Sequence, residues 1–598
     1  MSTVASQTSS TPATDKTPLN KASFTLQGGA TIAAIVAVVA ASAWLLATNP
    51  STGHWQQGYD PTGHWWLSTA LAALPVAVLL GTLAILRLKA HVSALLGLIT
   101  ALAVATIFFH MPGRLALTTA VYGAGYGIFP ICWIVLPVIF LYQLTIKAGQ
   151  FDALQQSLTN ITEDSRLQLL LIAFAFGAFF EGAAGFGTPV AVCGAILISL
   201  GFKPLQAAGL ALLANTAPVA FGGLGIPIVA MHGVTGLDML LLSKMIARML
   251  VPFCILVPFW LIWAFAGFRR MLQVWPAILV AGGTFAITQL VVATVHGPWL
   301  VDIFASVLTI IVLIGFLKVW KPKQIINAVK EDITAQARKH HQHTAGTVFK
   351  AWLPWLTLSI VVFVWGTPQF THLFDHATTL KFSVSGLHNI VQRVPPVVAK
   401  TTSEAAVFNL NWFTATGTGI LVAAVLAGLM MGLSIKTITG VFFKTIYAIR
   451  FTAVTIAAML GLGFITRYCG LDATMGLAFA RTGTLYPFFG TLVGWLGTAS
   501  TGSDTSSNVL FGSLQVMTAN QIGVSPILMA SANSTGGVMA KMLAAQSIVV
   551  ASTATQNYGK EGAILRFVFA HSVALACLAG GLVYLIAYVY PFTMLVPH

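Results

Sequence analysis

Apolar stretches of about 20 residues recur from residue 67 to residue 590, and most of them are separated by short polar segments. A helix of roughly 20 apolar residues is long enough to cross the hydrocarbon core of a bilayer. Charged residues make up only 8% of the chain, whereas soluble domains carry about 25%. Because backbone groups in lipid must be satisfied within the protein, the sequence predicts an all-α polytopic membrane protein.

Thirteen stretches are predicted to be spanning helices: 29–48, 67–86, 91–110, 117–146, 204–232, 244–268, 276–294, 299–319, 351–370, 415–433, 441–465, 526–548 and 567–590. The polar, Ser/Thr/Pro-rich segment 1–28 is predicted to be a disordered cytoplasmic tail. We interpret 29–48 as an additional membrane anchor. A cleaved signal peptide is the alternative, but its leader would be unusually long and the apolar run has no clear stop.

Two further apolar stretches, 167–200 and 485–518, are interrupted near the middle by residues that break helices. The interruptions are Glu181-Gly-Ala-Ala-Gly-Phe-Gly-Thr-Pro189 and Thr501-Gly-Ser-Asp-Thr-Ser-Ser-Asn508. At 1.5 Å per residue, halves of about 11–15 residues are too short to cross. The pattern therefore predicts two re-entrant hairpins.

The distribution of positive charge predicts the orientation of these segments. With the N-terminus inside, 20 of the 30 Lys and Arg residues fall on cytoplasmic segments, in agreement with the positive-inside rule. The first hairpin then enters from the cytoplasm and the second from outside. Because the charges are scattered in loops and form no basic face, no nucleic-acid partner is expected.

Each predicted hairpin is followed by a span with a polar interruption, Asn215-Thr-Ala-Pro218 in one and Asn533-Ser-Thr-Gly-Gly537 in the other. A hairpin plus a broken helix thus occurs twice, in opposite orientations. Inverted repeats with discontinuous helices are typical of secondary transporters, whose substrate sites lie near the midplane.

Only two of the fifteen acidic residues, Glu181 and Asp504, lie in the hairpin breaks; the other thirteen are placed in loops, tails or span ends. A charge at the bilayer centre costs roughly 2.5–3.5 kcal/mol, so acids at that depth are functional candidates. We predict that both take part in proton coupling. The alternative is a structural role, as a helix cap or as the partner of a Lys or Arg.

The breaks also supply candidate groups for an anionic substrate. Glycines at 185 and 187 let the backbone approach a ligand closely, and the half-helix that starts at Thr188 points its positive end at the cavity. A turn that serves packing only is the alternative. The full set of predicted substrate contacts is Gly185, Gly187, Thr188, Asn215, Thr216, Thr505, Ser506, Ser507, Asn508, Asn533, Ser534 and Lys541.

Lys541 lies eight residues past Asn533, about 12 Å along a helix, and is far from either predicted interface. We expect it to pair with an acid or with an anionic substrate. Arg450 is a weaker candidate, since its long side chain could reach the interface instead. The histidines in the predicted cytoplasmic loop 320–350 are interpreted as solvated, and the five cysteines as buried apolar groups. No metal or cofactor is predicted.

Several motifs together resemble the bacterial L-lactate permease family. They are Phe180-Glu-Gly-Ala-Ala-Gly-Phe-Gly-Thr-Pro-Val-Ala191, Asn215-Thr-Ala-Pro-Val-Ala-Phe-Gly222, Thr501-Gly-Ser-Asp-Thr-Ser-Ser-Asn508, Trp55-Gln-Gln-Gly-Tyr-Asp-Pro61, Gly149-Gln-Phe-Asp152 and Gly536-Gly-Val-Met-Ala-Lys541. The resemblance covers a transporter domain at 54–598. It implies proton-coupled uptake of L-lactate, often with D-lactate and glycolate, across the inner membrane, and no enzymatic activity.

The residues leave one alternative transporter and one alternative function class. A sodium-coupled carboxylate permease is the alternative transporter, since Asn-rich breaks can bind Na⁺ through oxygen atoms. A membrane hydrolase would need a nucleophile and base, and the chain has no GxSxG or HExxH motif.

Overall fold

The computed structural model describes residues 53–84, 86, 88–150, 161–183, 185, 187–326, 345–365, 367–398, 400–557 and 560–597. The predicted tail 1–28, the predicted anchor 29–48 and the three histidines of loop 320–350 lie outside these residues. Within them the protein is predominantly helical, which confirms the predicted fold class.

Most helices coincide with the predicted spans. Outside the hairpins and broken helices they are Trp65–Ala84, Ala90–Ile107, Gly113–Tyr126, Trp133–Lys147, Met239–Ala266, Phe268–Leu272, Trp275–Val295, Val301–Val319, Ala345–Trp365, Pro368–Thr378, Thr416–Met430, Ile435–Cys469, Leu471–Ala480 and Glu561–Tyr588. A π-helix at Gly127–Cys132 joins two of them, and short 3₁₀ turns lie at Gly483–Leu485 and Phe592–Leu595.

Ten helices of the described chain are long and apolar enough to cross a bilayer, or eleven when a bent pair is counted as one span. A multi-pass membrane protein follows from this finding. The predicted total of thirteen remains a prediction, because it includes 29–48 and two shorter helices. Those two are Phe349–Trp365, which is the apolar part of the helix Ala345–Trp365, and Thr416–Met430.

The first hairpin comprises Ser165–Gln168, a π-helix at Leu169–Phe176, Gly177–Ala183 and, after the break, Thr188–Ser199. Positive φ angles at Gly185 and Gly187 (58° and 86°) turn the chain at the break, as the glycines predicted. The arms pack side by side, since the Cys193 thiol donates to the Ile172 carbonyl over 3.2 Å. The predicted arm length is wrong here: the first arm has 19 residues, enough to span.

The second hairpin consists of Tyr486–Thr501 and Asp504–Ile522, with 16 and 19 residues. Gly502, at φ 81°, lies in the turn. Ser507 Oγ donates to the Gly494 carbonyl over 2.9 Å, which joins the two arms. Both arms exceed the predicted length, because the helices continue through polar residues that bond across the hairpin.

The first broken helix is Pro204–Ala214, a 3₁₀ turn at Val219–Phe221, and Gly222–Thr235. Its two parts are bent by 64°, so the break predicted at Asn215–Pro218 is confirmed.

The second broken helix has a break, but not at the predicted residues 533–537, so that prediction is wrong. Its first part is a continuous helix over Pro526–Ala540, the break is the 3₁₀ turn Lys541–Leu543, and its second part is Ala545–Ala554. Gly536 instead allows close packing: a Cβ there would stand 2.0 Å from the Thr491 carbonyl oxygen.

Two small sheets and a short helix were not predicted. Thr379–Ser383 pairs with Val407–Asn411 in antiparallel fashion. Val391–Arg393 pairs with Trp55–Gln56 in parallel and with Thr402–Ser403 in antiparallel fashion. These strands are two to five residues long and no apolar run marks them. Trp55–Gln56 precedes the helix Trp65–Ala84, and the other strands lie in the loop between Pro368–Thr378 and Thr416–Met430. The helix Leu471–Ala480 has only ten residues, too few to be recognised as a span.

The outer ends of the two hairpins contact different loops. Arg166, at the start of the first hairpin, donates to the carbonyls of Arg270 and Gln324 over 2.9 and 2.6 Å. Gln521, near the end of the second, donates to the Pro396 carbonyl over 3.1 Å. The predicted topology places Arg166, Arg270 and Gln324 on the cytoplasmic side and Gln521 and Pro396 outside. Each of these contacts therefore joins segments that the topology places on the same side.

Candidate functional site

The breaks of the two hairpins and of the two broken helices enclose a cavity of about 110 Å³. It is small beside the roughly 300–1,000 Å³ of pockets that take drug-sized ligands. The lining residues are Glu181, Gly185, Gly187, Val219, Gly222, Gly223, Ile226, Pro227, Gly502, Ser503, Asp504, Thr505, Lys541, Ser547 and Val550. Two carboxyl groups and one ammonium group therefore meet in one small space.

Glu181 approaches the cavity through a gap left by a glycine. Its side chain packs against Gly222 of the first broken helix, where a Cβ would stand 2.6 Å from Glu181 Oε1. The residue is only 4% exposed, and Oε2 has no hydrogen-bond partner. A buried carboxylate oxygen without a partner is unfavourable, so this oxygen is free to take a proton or a ligand.

Asp504 is held in a different way, by hydroxyl and amide donors. Its Oδ2 accepts from Ser534 Oγ at 2.6 Å and from Asn508 Nδ2 at 3.4 Å, and Oδ1 accepts from Thr498 Oγ1 at 3.5 Å. A Cβ at Gly537 would stand 2.1 Å from Oδ1. Each hairpin carboxyl thus packs against a glycine of the broken helix that follows it, but only Asp504 is fully hydrogen-bonded.

Neither carboxyl group is a helix cap. Ser503, whose Oγ accepts from the Ser506 amide, caps the helix that begins at Asp504. The helix after the first break has Gly187 at its cap position and no side-chain cap, so Glu181 does not serve it. The geometry therefore disfavours the alternative that Glu181 or Asp504 serves as a helix cap.

Lys541 lies in the 3₁₀ turn that breaks the second broken helix. It is 9% exposed, and its Nζ donates to the Gly502 carbonyl over 3.1 Å. Its charge interacts with both Glu181 and Asp504. Among the ion pairs of the described chain none includes Lys541. The ammonium group therefore has bonding capacity left for an anion.

Six of the fourteen predicted site residues line the cavity: Glu181, Gly185, Gly187, Asp504, Thr505 and Lys541. The other eight lie outside its lining: Thr188, Asn215, Thr216, Ser506, Ser507, Asn508, Asn533 and Ser534.

Some of these eight connect the elements around the cavity. Asn508 Nδ2 donates to the Pro227 carbonyl at 3.1 Å, and Asn533 Nδ2 donates to Asn508 Oδ1 at 3.0 Å. Gln515 Nε2 in turn donates to Asn533 Oδ1 at 3.1 Å. This chain of amides ties the second hairpin to both broken helices, and so fixes the position of Asp504.

Among the buried acids that form no ion pair in the described chain, two were missed by the sequence reasoning. Asp302 and Asp472 are 1% and 2% exposed, although both were counted among the residues of loops and span ends. Asp472 accepts a hydrogen bond from Thr466 Oγ1 at 3.2 Å, whereas Asp302 has none on either oxygen. No local pattern marks them, because their burial depends on helices distant in sequence.

The structure describes no group of three or more metal-ligating side chains. Arg450 is exposed, and its guanidinium stacks on Tyr447 at 3.7 Å from the ring centroid. It lies on the outer surface of its helix, as the interfacial interpretation implies.

Comparison with known proteins gives consistent matches over nearly the whole chain. A sequence model described as L-lactate permease matches residues 68–590. The chain is 44% identical to an L-lactate permease of Escherichia coli K12, over 91% of this chain and 100% of that protein. It is 43% identical to the glycolate permease GlcA of E. coli K12, over 90% and 98%. It is 42% identical to an L-lactate permease of Bacillus subtilis strain 168, over 88% and 97%.

A solved structure, that of the Neisseria gonorrhoeae efflux pump MtrF, aligns over 79% of this chain and 83% of that one, with a TM-score of 0.43 and 12% identity. A likeness of this size has no bearing on function.

Proposed function

The chain belongs to the L-lactate permease family, as its motifs predicted, and we propose that it imports L-lactate, D-lactate and glycolate with protons across the cell inner membrane. The observation that carries this proposal is the Lys541 ammonium group, which faces a small cavity without an ion-pair partner. A buried cation in that setting is suited to the carboxylate of a small acid.

The lining matches the chemistry of a short 2-hydroxy acid. Lys541 would bind the carboxylate, and the hydroxyl groups of Ser503 and Thr505 can bond the 2-hydroxyl group. Val219, Ile226 and Val550 supply apolar surface for a methyl group. Glycolate lacks that methyl group and would make the same polar contacts, so one site can serve both substrates.

Charge balance explains why a proton would accompany the anion. With both carboxyl groups ionised, Glu181, Asp504 and Lys541 give the empty cavity a net charge of −1. An anion alone would bring it to −2 in a low-dielectric space, which is strongly unfavourable. One added proton restores the charge of the empty state. Glu181 is the better carrier, because Oε2 is unpartnered while Asp504 is hydrogen-bonded. Asp504 is the second candidate carrier.

Alternating access would use the two hairpins as opposed gates. The predicted topology brings the first hairpin in from the cytoplasm and the second from outside, and the cavity lies between their breaks. Inverted repeats in secondary transporters provide one gate on each side in this way. The different loops contacted by Arg166 and Gln521 support this arrangement.

Counterflow and accumulation in proteoliposomes test the proposal. Purified protein is reconstituted without sodium, and uptake of labelled L-lactate is followed under an imposed pH gradient, acid outside. We expect accumulation that a protonophore abolishes, and competition by D-lactate and glycolate but not by a dicarboxylate. Accumulation that requires sodium would instead support the sodium-coupled alternative.

A further inference from the structure

Asp302 forms a second acidic centre behind the cavity. It is the second residue of the helix Val301–Val319 and is 1% exposed. Its Cβ lies where a side chain at Gly182 would be, 2.6 Å from the ideal Cβ position. Asp302 therefore packs directly against the residue that follows Glu181, and its charge interacts with that of Glu181. It does not line the cavity itself.

This region contains several buried polar atoms without hydrogen-bond partners. They are Glu181 Oε2 and both oxygens of Asp302. Both residues are at least nine-tenths buried. The corresponding carboxyl of the second hairpin, Asp504, bonds to three side chains. The missing partners near Glu181 contrast with the bonded Asp504, and they indicate a site whose bonding changes during function.

We propose that Asp302 and Glu181 share the proton that is transported with each substrate anion. This inference rests on the proposed function. Two neighbouring carboxyl groups cannot both be ionised at low cost, so a pair holds one proton more firmly than either group alone. Asp302 lies behind the cavity, so it can stabilise the proton without occupying the substrate's space.

The surrounding groups leave this pair as the main acidic centre. Lys541 lines the same cavity as Glu181 and interacts with its charge, and Cys254, on the helix Met239–Ala266, lies near Asp302. The helix Trp275–Val295, which packs against Asp302's helix, contains no Asp, Glu, Lys, Arg or His. The first broken helix carries one His after its bend, at 232, whose Nδ1 bonds to the Leu237 carbonyl near the helix end.

The pH dependence of uptake in Asp302→Asn tests the pair. Without the second carboxyl group the repulsion is lost, and Glu181 alone should need a more acidic exterior to load its proton. We expect the external pH of half-maximal lactate uptake to move toward acid by about one unit, while lactate/lactate counterflow continues. Asp472→Asn is the matched control, a buried acid that bonds to Thr466, and its midpoint should not move.

An unchanged midpoint in Asp302→Asn would overturn the proposal, even if the rate fell at every pH, since that is the behaviour of a packing residue. If Asp302→Asn does not fold, Asp302→Glu keeps the acid but moves its carboxyl group. Its midpoint should then shift, and a wild-type midpoint would count against the pair. Glu181→Gln separates this proposal from the proposed function. If the Glu181→Gln variant still accumulates lactate, Glu181 is not the proton carrier, regardless of the result for Asp302→Asn.

Discussion

Lys541 Nζ donates a hydrogen bond to the backbone carbonyl of Gly502 over 3.1 Å, so a cation from the second broken helix bridges to the turn of the second hairpin. This bond holds the ammonium group at the cavity without neutralising its charge. Removing the ammonium group should therefore weaken binding of the substrate anion. We expect Lys541→Met to raise the KM for lactate by about tenfold to a hundredfold, the value of a charged hydrogen bond.

The control for that variant is Lys560→Met, which removes an exposed lysine outside the cavity and should leave the KM unchanged. Asp504→Asn should not rescue Lys541→Met, because the two residues form no ion pair. Rescue by the double change would show that they act as a structural pair, and an unaltered KM in Lys541→Met would exclude it from the site.

Gly537→Ala tests the packing of Asp504 against the second broken helix. The added Cβ would stand 2.1 Å from Asp504 Oδ1 and 2.6 Å from Thr498 Oγ1. Overpacking of this kind costs about 1–3 kcal/mol, so thermal unfolding in detergent should occur at lower temperature and transport should fall. Gly581→Ala is the matched control, since nothing lies within 4 Å of a Cβ there. Equal melting temperatures for the two variants would contradict the packing described.

Cysteine labelling tests the opposed hairpins. In a cysteine-free background, Lys203→Cys at the end of the first hairpin should react with an impermeant thiol reagent from the cytoplasm only. Gln521→Cys, at the end of the second, should react from outside only. Thr505→Cys lines the cavity, so a small permeant reagent should modify it and lactate should slow the reaction. Labelling of positions 203 and 521 from the same side would mean that one hairpin is a full span.

Glu404→Gln tests how the outer sheets are anchored. Glu404 forms ion pairs with Arg393 and with Arg467, the latter at 3.2 Å, and it is 8% exposed. Losing the shared partner leaves two cations close together. Because the Arg side chains are partly exposed, the loss of stability should lie below the roughly 3–5 kcal/mol of a fully buried pair. A lowered melting temperature is expected; Lys381→Gln, on an exposed strand, should show none.

The sequence predicted the helices well, because a membrane leaves one decisive signal, an apolar run of sufficient length. It also singled out Glu181, Asp504 and Lys541, which line one cavity in the structure, since a charge within an apolar run stands out. Asp302 escaped notice because it lies near the end of a predicted span, and only the packing of its helix against Gly182 buries it. The glycines at 536 and 537 were taken for a helix break, although they serve close contact between helices. Such contacts depend on partners that a single sequence does not reveal.

The central claim is that Glu181 carries the proton coupled to lactate, and Glu181→Gln in sodium-free proteoliposomes tests it most directly. Glutamine keeps the size and a hydrogen-bonding group but cannot release a proton. Lactate/lactate counterflow, which needs no net proton movement, should persist in part, while accumulation driven by an inward pH gradient should be lost. Accumulation of lactate at the wild-type level by Glu181→Gln would contradict the account.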